Sequence, residues 1–169
     1  MRKIIFIQGI HNFELRNRFI LAALRAAGFE VSFFPIFYTV HQTRKQLELI
    51  GKIEAHLAAS DDRFILLGHS FGGILAYSLR EELYAKVDRI ITVAAPHQVG
   101  FGWFRSVLAR LPYRSDVSVQ HQESYGFLFD TTVPFIFTRY AGAGRHRNLL
   151  GTHNRLLNSR TFVNRLLAS

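Results

Sequence analysis

The stretch "ILLGHSFGGILAYSL", Ile65 to Leu79, decides the fold. An apolar run stops at Gly68, a serine follows two residues later, and two glycines precede a helical pattern. A short run of this kind reads as a buried strand, and the spacing after Ser70 reads as a helix. The chain therefore makes a sharp strand-to-helix connection with one hydroxyl at its apex. Gly68 and Gly72 lack the Cβ that would crowd so tight a turn.

Outward from this point, strand-like and helix-like runs alternate. "KIIFIQ" (3–8), "EVSFFPIF" (30–37), "RFILLG" (63–68), "DRIITVAAP" (88–96) and "VPFIFTRY" (133–140) read as strands one to five. Pro35 removes a ladder donor and points to an edge strand. Helices are expected at 13–28, with Asn12 as cap and Gly28 as stop, at 41–60 with Leu47, Ile50, Ile53 and Leu57 facing inward, after Ser70, and at 154–167. Nearly all-apolar strands alternating with helices imply a mostly parallel, five- or six-stranded sheet covered on both faces, a three-layer α/β/α arrangement. Residues 1–169 form one domain, with a small cap-like insertion at about 97–130, where glycines and aromatic residues replace the regular pattern.

Composition narrows the classes. The chain has 169 residues and no cysteine, which excludes disulfides, thiolate metal sites and a cysteine nucleophile, and points to a reducing, cytoplasmic setting. No run approaches the ~20 apolar residues of a membrane span, and no signal-peptide pattern is visible. The net charge is +9. From Thr131 onward there are six arginines and no Asp or Glu. Such an end can attract an anionic surface. No nucleic-acid-binding signature accompanies it, and no metal-ligand spacing occurs.

Gly68-His69-Ser70-Phe71-Gly72 fits G-x-S-x-G, the turn that raises a nucleophilic serine above the carboxyl ends of a sheet. With this motif in place, the chain resembles a small α/β-hydrolase of the compact lipase and esterase type. "FIQGIHNF" resembles the family's loop after the first strand, with Gln8 where the family has His. "ITVAAPHQVG", "GTHNRLL" and "NSRTFVNRLL" resemble its later segments. The resemblance implies strand order 2-1-3-4-5, Ser70 as nucleophile, His153 as base, and an oxyanion hole from the backbone N–H groups of Ile10 and Phe71. It implies cleavage of a small-molecule or lipid ester through an acyl-enzyme, with no metal or cofactor.

The family's acid has no obvious counterpart. The usual position, after the strand expected at 133–140, reads "AGAGRHRNLLGT" and holds no carboxylate. Asp130 would precede that strand and lie at the opposite end of the sheet. Asp116 and Glu123 are the remaining candidates, folded back from the cap. A Ser-His dyad is one alternative, and a degenerate hydrolase that only binds is another. His146 is the competitor of His153 for the role of base.

Overall fold

The computed structural model describes residues 2–10, 14–37, 39–98, 102–114, 116–117, 119–130, 132–133, 137–140, 142–150, 152 and 162–164. Its strands are β1 (Lys3–Ile10), β2 (Glu30–Ile36), β3 (Phe64–His69), β4 (Val87–Val93), β5 (His121–Phe127) and β6 (Arg145–Leu149). Its helices are α1 (Glu14–Ala26), α2 (Thr43–Ala58), α3 (Phe71–Ala76) and α4 (Gly102–Leu108), with a 3₁₀ turn at Glu81–Lys86. The strands form one sheet in the order β2-β1-β3-β4-β5-β6. Every pairing is parallel.

The alternation of side chains along β1 builds both outer layers. Ile5 and Ile7 point into one apolar cluster with Ile50, Ile53 and Leu57 of α2 and Ile74 and Leu75 of α3. Ile4 and Phe6 point into the other, with Ile20, Leu21 and Leu24 of α1 and with Phe162 and Val163. Burying each such side chain contributes about 1.5–3 kcal/mol. This two-sided burial is why the central strands read as continuous apolar runs.

The chain reversal after α1 follows the expected stop. Gly28 has φ 84°, Phe29 N–H donates to the Leu24 carbonyl and Gly28 N–H to that of Arg25. This paired pattern closes a helix with glycine in the left-handed region. In α2 the inward face carries Leu49 rather than Leu47. Leu49 is buried and Leu47 exposed, while Ile50, Ile53 and Leu57 are buried as expected. Asn12 lies outside the described residues.

Two expectations are corrected in the second half. The fifth strand is His121–Phe127, and no strand occurs among the described residues of 133–140. β5 reads HQESYGF, too polar to announce itself as a buried strand. Its polar groups are satisfied inside the fold instead. The Arg89 guanidinium donates to Glu123 at 2.5 Å and the Tyr125 hydroxyl donates to its other oxygen at 2.7 Å. Gln122 donates to the carbonyls of Val117 and Val119 and accepts from the Tyr77 hydroxyl. Ser124 Oγ bonds His146 Nδ1 at 2.7 Å. The sixth strand, RHRNL, falls in the segment expected to be a loop. β5 also occupies the last part of 97–130, the segment expected to be a cap-like insertion. No helix among the described residues is long and apolar enough to cross a membrane.

The buried Arg89–Glu123 pair joins β4 to β5. Arg89→Ala leaves an unpaired buried carboxylate and is expected to cost about 3 kcal/mol or more in urea unfolding. Arg89→Met combined with Glu123→Leu, which removes both charges, is expected to be distinctly less destabilised.

Candidate active site

Ser70 stands directly beyond β3, partly accessible, with φ 52° and ψ −128°. A non-glycine residue pays of order 1–3 kcal/mol for such a backbone, and the surroundings must over-determine it. Here they do. Ser70 N–H donates to the Val93 carbonyl at 2.8 Å, and Gly73 N–H donates to the Ser70 carbonyl at 3.0 Å. A Cβ on Gly68 would sit 2.5 Å from Gly73 Cα. One on Gly72 would strike the Ile7 carbonyl, and one on Gly73 would strike the Ala95 methyl. The glycines thus let the first turn of α3 press against the ends of β1 and β4 and leave the serine on the outside of the bend.

The end of β1 lies beside the hydroxyl. A Cβ on Gly9 would come within 2.7 Å of Ser70 Cβ and 3.3 Å of its Oγ. Ile10 is the last residue of β1, next to Gly9, and Phe71 opens α3 directly after Ser70, so the two residues expected to hold an oxyanion belong to the two elements that meet at Ser70. Gln8, standing where the family has histidine, is fully buried. Neither its amide nitrogen nor its amide oxygen has a hydrogen-bond partner among the described residues.

The relocated fifth strand changes the carboxylates. Asp130 follows β5 by three residues, and all strands are parallel, so it lies at the same edge of the sheet as Ser70, not the opposite one. It is buried, and its Oδ1 accepts from the backbone N–H groups of Thr132 (2.9 Å) and Val133 (2.8 Å). Glu123 sits within β5 and is engaged by Arg89 and Tyr125. Asp116 is exposed in the connection before β5. Neither of these two has the placement expected of a residue folded over the serine. The signal for Asp130 was an apolar run, Tyr125 to Phe129, ending in a carboxylate followed by Thr-Thr-Val-Pro.

His153 lies outside the described residues, as do His11 and the side chains of Phe101, Trp103 and Phe104. His146 is on β6, bonded to Ser124 and to Asn148 Oδ1. Desolvation holds its pKa below the usual histidine value, against the opposing hydrogen bond from Asn148. His97 is buried, bonded to Thr92 Oγ1 at 3.0 Å and the Tyr113 hydroxyl at 3.2 Å, with Tyr77 and Tyr140 packed edge-on against it. Burial pushes it down to about 3. It is a neutral packing residue. Tyr125 and Phe127 are buried in the sheet's own core rather than in a cap.

A parallel sheet in this order, with a strained serine after β3 and a buried carboxylate after β5, is the α/β-hydrolase fold. Comparison with known proteins agrees on the fold. Residues 36–111, from the end of β2 through the elbow, match the family described as the PGAP1-like alpha/beta domain. No curated protein matches by sequence. A pyrethroid hydrolase from Sphingobium faniae JZ-2 is similar in structure, with TM-score 0.67, 16% identity, 99% of this chain and 94% of that one covered. So is polyneuridine aldehyde esterase, with TM-score 0.68, 12% identity and 99% and 98% coverage. A tomato methylketone synthase I variant complexed with β-ketoheptanoate gives TM-score 0.74 at 10% identity, with 99% and 96% coverage.

Two outcomes follow from this geometry. Gly72→Ala drives a methyl group into the Ile7 carbonyl, which is backbone and cannot swing away, and is expected to cost about 1–3 kcal/mol or more in stability. For His97, the folded pKa is depressed to about 3, against ~6.5 unfolded. Below pH ~6.5 the unfolded chain takes up a proton that the folded chain refuses, so stability falls as pH drops towards 3. The contribution by pH 5 is about 2 kcal/mol. The stability gap between wild type and His97→Gln, read from urea midpoints, is expected to narrow between pH 7 and 5.

Proposed function

We propose that the protein is a serine hydrolase that cleaves carboxylic esters through an acyl-enzyme. The observation that carries this reading is the strained Ser70, held at the carboxyl edge of the sheet with Gly9 packed against its side chain. A buried carboxylate at the same edge supports it. The chain order Ser70, Asp130, His153 is that of the α/β-hydrolase triad.

In this reading Ser70 Oγ attacks the ester carbonyl while His153 accepts its proton. The backbone N–H groups of Ile10 and Phe71 donate to the developing oxyanion, where a single such donor is worth about 2.7–4 kcal/mol. The intermediate collapses, and the alcohol leaves with the proton from His153. Water then attacks the acyl-enzyme with His153 again as base, releasing the carboxylic acid and restoring Ser70. Asp130 fixes the imidazole tautomer and stabilises the imidazolium. The Leu128 N–H bond to the Leu149 carbonyl, which holds the carboxyl ends of β5 and β6 together, supports this pairing. The similarity in fold to a pyrethroid hydrolase and to polyneuridine aldehyde esterase supports an ester substrate. The lack of cysteine supports a reducing, cytoplasmic setting.

Ser70→Ala is expected to abolish hydrolysis of short p-nitrophenyl esters while leaving the thermal transition in place. Asp130→Asn is expected to lower kcat by about 10²–10⁴-fold with little change in KM. Unchanged turnover in Ser70→Ala would overturn the assignment, and full activity in Asp130→Asn would remove the acid.

A further inference from the structure

Five large apolar side chains are exposed among the described residues, and four of them stand at one edge of the sheet. Phe37 follows the end of β2, Leu128 and Phe129 follow β5, and Leu150 follows β6. Single exposed apolar residues are ordinary on a protein surface. Their concentration at the carboxyl ends of parallel strands is not. Phe129 and Leu150 are the most open, at 64% and 74%. The Leu128 N–H to Leu149 carbonyl bond brings the β5 and β6 ends together.

Register fixes their height. His69 aligns with Val93, Val93 with Tyr125, and Tyr125 with Arg147. Leu128 and Leu150 are three residues beyond that level, whereas Ser70 is one beyond it. The apolar residues therefore project further from the sheet than the hydroxyl. Strands lie ~4.8 Å apart, so the rim from β2 to β6 is about 24 Å wide, with Ser70 between its two apolar ends.

Charge is sorted along the same axis. Exposed Glu30, Asp61, Asp62, Glu81, Glu82 and Asp88 lie at or before the amino ends of β2, β3 and β4. Most are matched by cations: Lys3 pairs with Asp62 and Glu30, Arg63 with Asp88, Arg80 with Glu82 and Arg114 with Glu81. Towards the other end, Arg145 and Arg147 are exposed on the edge strand β6 below Leu150, and exposed Arg139 leads into it. None of the three has a carboxylate partner among the described residues. Asp130, at that edge, is buried and capped by backbone N–H groups.

We propose that the carboxyl edge of the sheet is a docking surface for a bilayer containing anionic lipid. Apolar side chains that protrude beyond arginines of the β6 edge, which have no carboxylate partner among the described residues, match the two parts of such a surface, acyl chains below and phosphate groups above. The orientation turns Ser70 towards the membrane, so the substrate is a lipid ester; this last step rests on the hydrolase reading, whereas docking itself does not.

Flotation with phosphatidylcholine vesicles, with and without phosphatidylglycerol, tests both. The full chain is expected to float with phosphatidylglycerol vesicles at low salt, and far less with phosphatidylcholine alone or at high salt. Phe37→Ser with Leu150→Ser, and separately Arg139→Glu with Arg147→Glu, are each expected to weaken binding about tenfold or more. The Phe37/Leu150 variant should keep hydrolysis of a soluble p-nitrophenyl ester, and circular dichroism should show all variants folded. Ser70→Ala should float like wild type, so a failed hydrolase reading leaves the docking result intact. No flotation of the wild type would overturn the proposal, as would equal flotation of the variants. A concentration-dependent dimer that the Phe37/Leu150 variant dissolves, without vesicle binding, would assign the rim to a second copy of the chain instead.

Discussion

The structure depends on how closely backbone can approach backbone where β3 turns into α3. Gly68, Gly72 and Gly73 bring that turn into contact with the Ile7 carbonyl and the Ala95 methyl, and Gly9 closes the remaining side against Ser70. These contacts involve main chain on at least one partner, so they leave no room for repacking. The strain at Ser70 is held by the hydrogen bond to Val93 on one flank and by the first turn of α3 on the other. Ala94, at φ 50°, is a second strained residue on the neighbouring strand end, fixed by its N–H bond to the Tyr125 carbonyl. The elbow is thus braced by β1, β4 and, through Ala94, β5. Its geometry belongs to the sheet as a whole.

The first half of the fold was legible because its strands are buried on both faces and its turns carry glycine. β1 to β3 fall within two residues of their expected bounds and β4 within three, Pro35 marks the edge strand, and Gly28 ends α1. The second half was not legible for a definite reason. Periodicity rewards apolar runs, and β5 is built from Gln122, Glu123 and Ser124, each of which has a partner supplied by tertiary structure: Tyr77, Arg89 and His146. The apolar run at 133–140 looked more like a strand than the strand did. Placing the fifth strand there put Asp130 at the wrong end of the sheet and so removed it from the candidate carboxylates. The candidate nucleophile was readable from five residues. The candidate carboxylate needed the register of β5.

Burial and charge then divide the molecule along the strand direction. Paired ions surround the amino ends of the strands, while the carboxyl ends carry the elbow, Asp130 and exposed apolar residues, and the β6 edge carries arginines with no carboxylate partner among the described residues. In a parallel sheet these two ends are chemically free to differ, because every strand runs the same way and every connection on one edge belongs to the same class of turn. Residues distant in sequence, Phe37 and Leu150 among them, come to share one edge for that reason alone.

The central claim is that Ser70 is an activated nucleophile and not merely the apex of a tight turn. Reaction of the folded protein with a fluorophosphonate, followed by peptide mass mapping, tests it most directly. The account predicts a single adduct on the peptide containing Ser70, lost when the protein is unfolded before labelling. A folded protein that remains unlabelled, or is labelled at another residue, would contradict it.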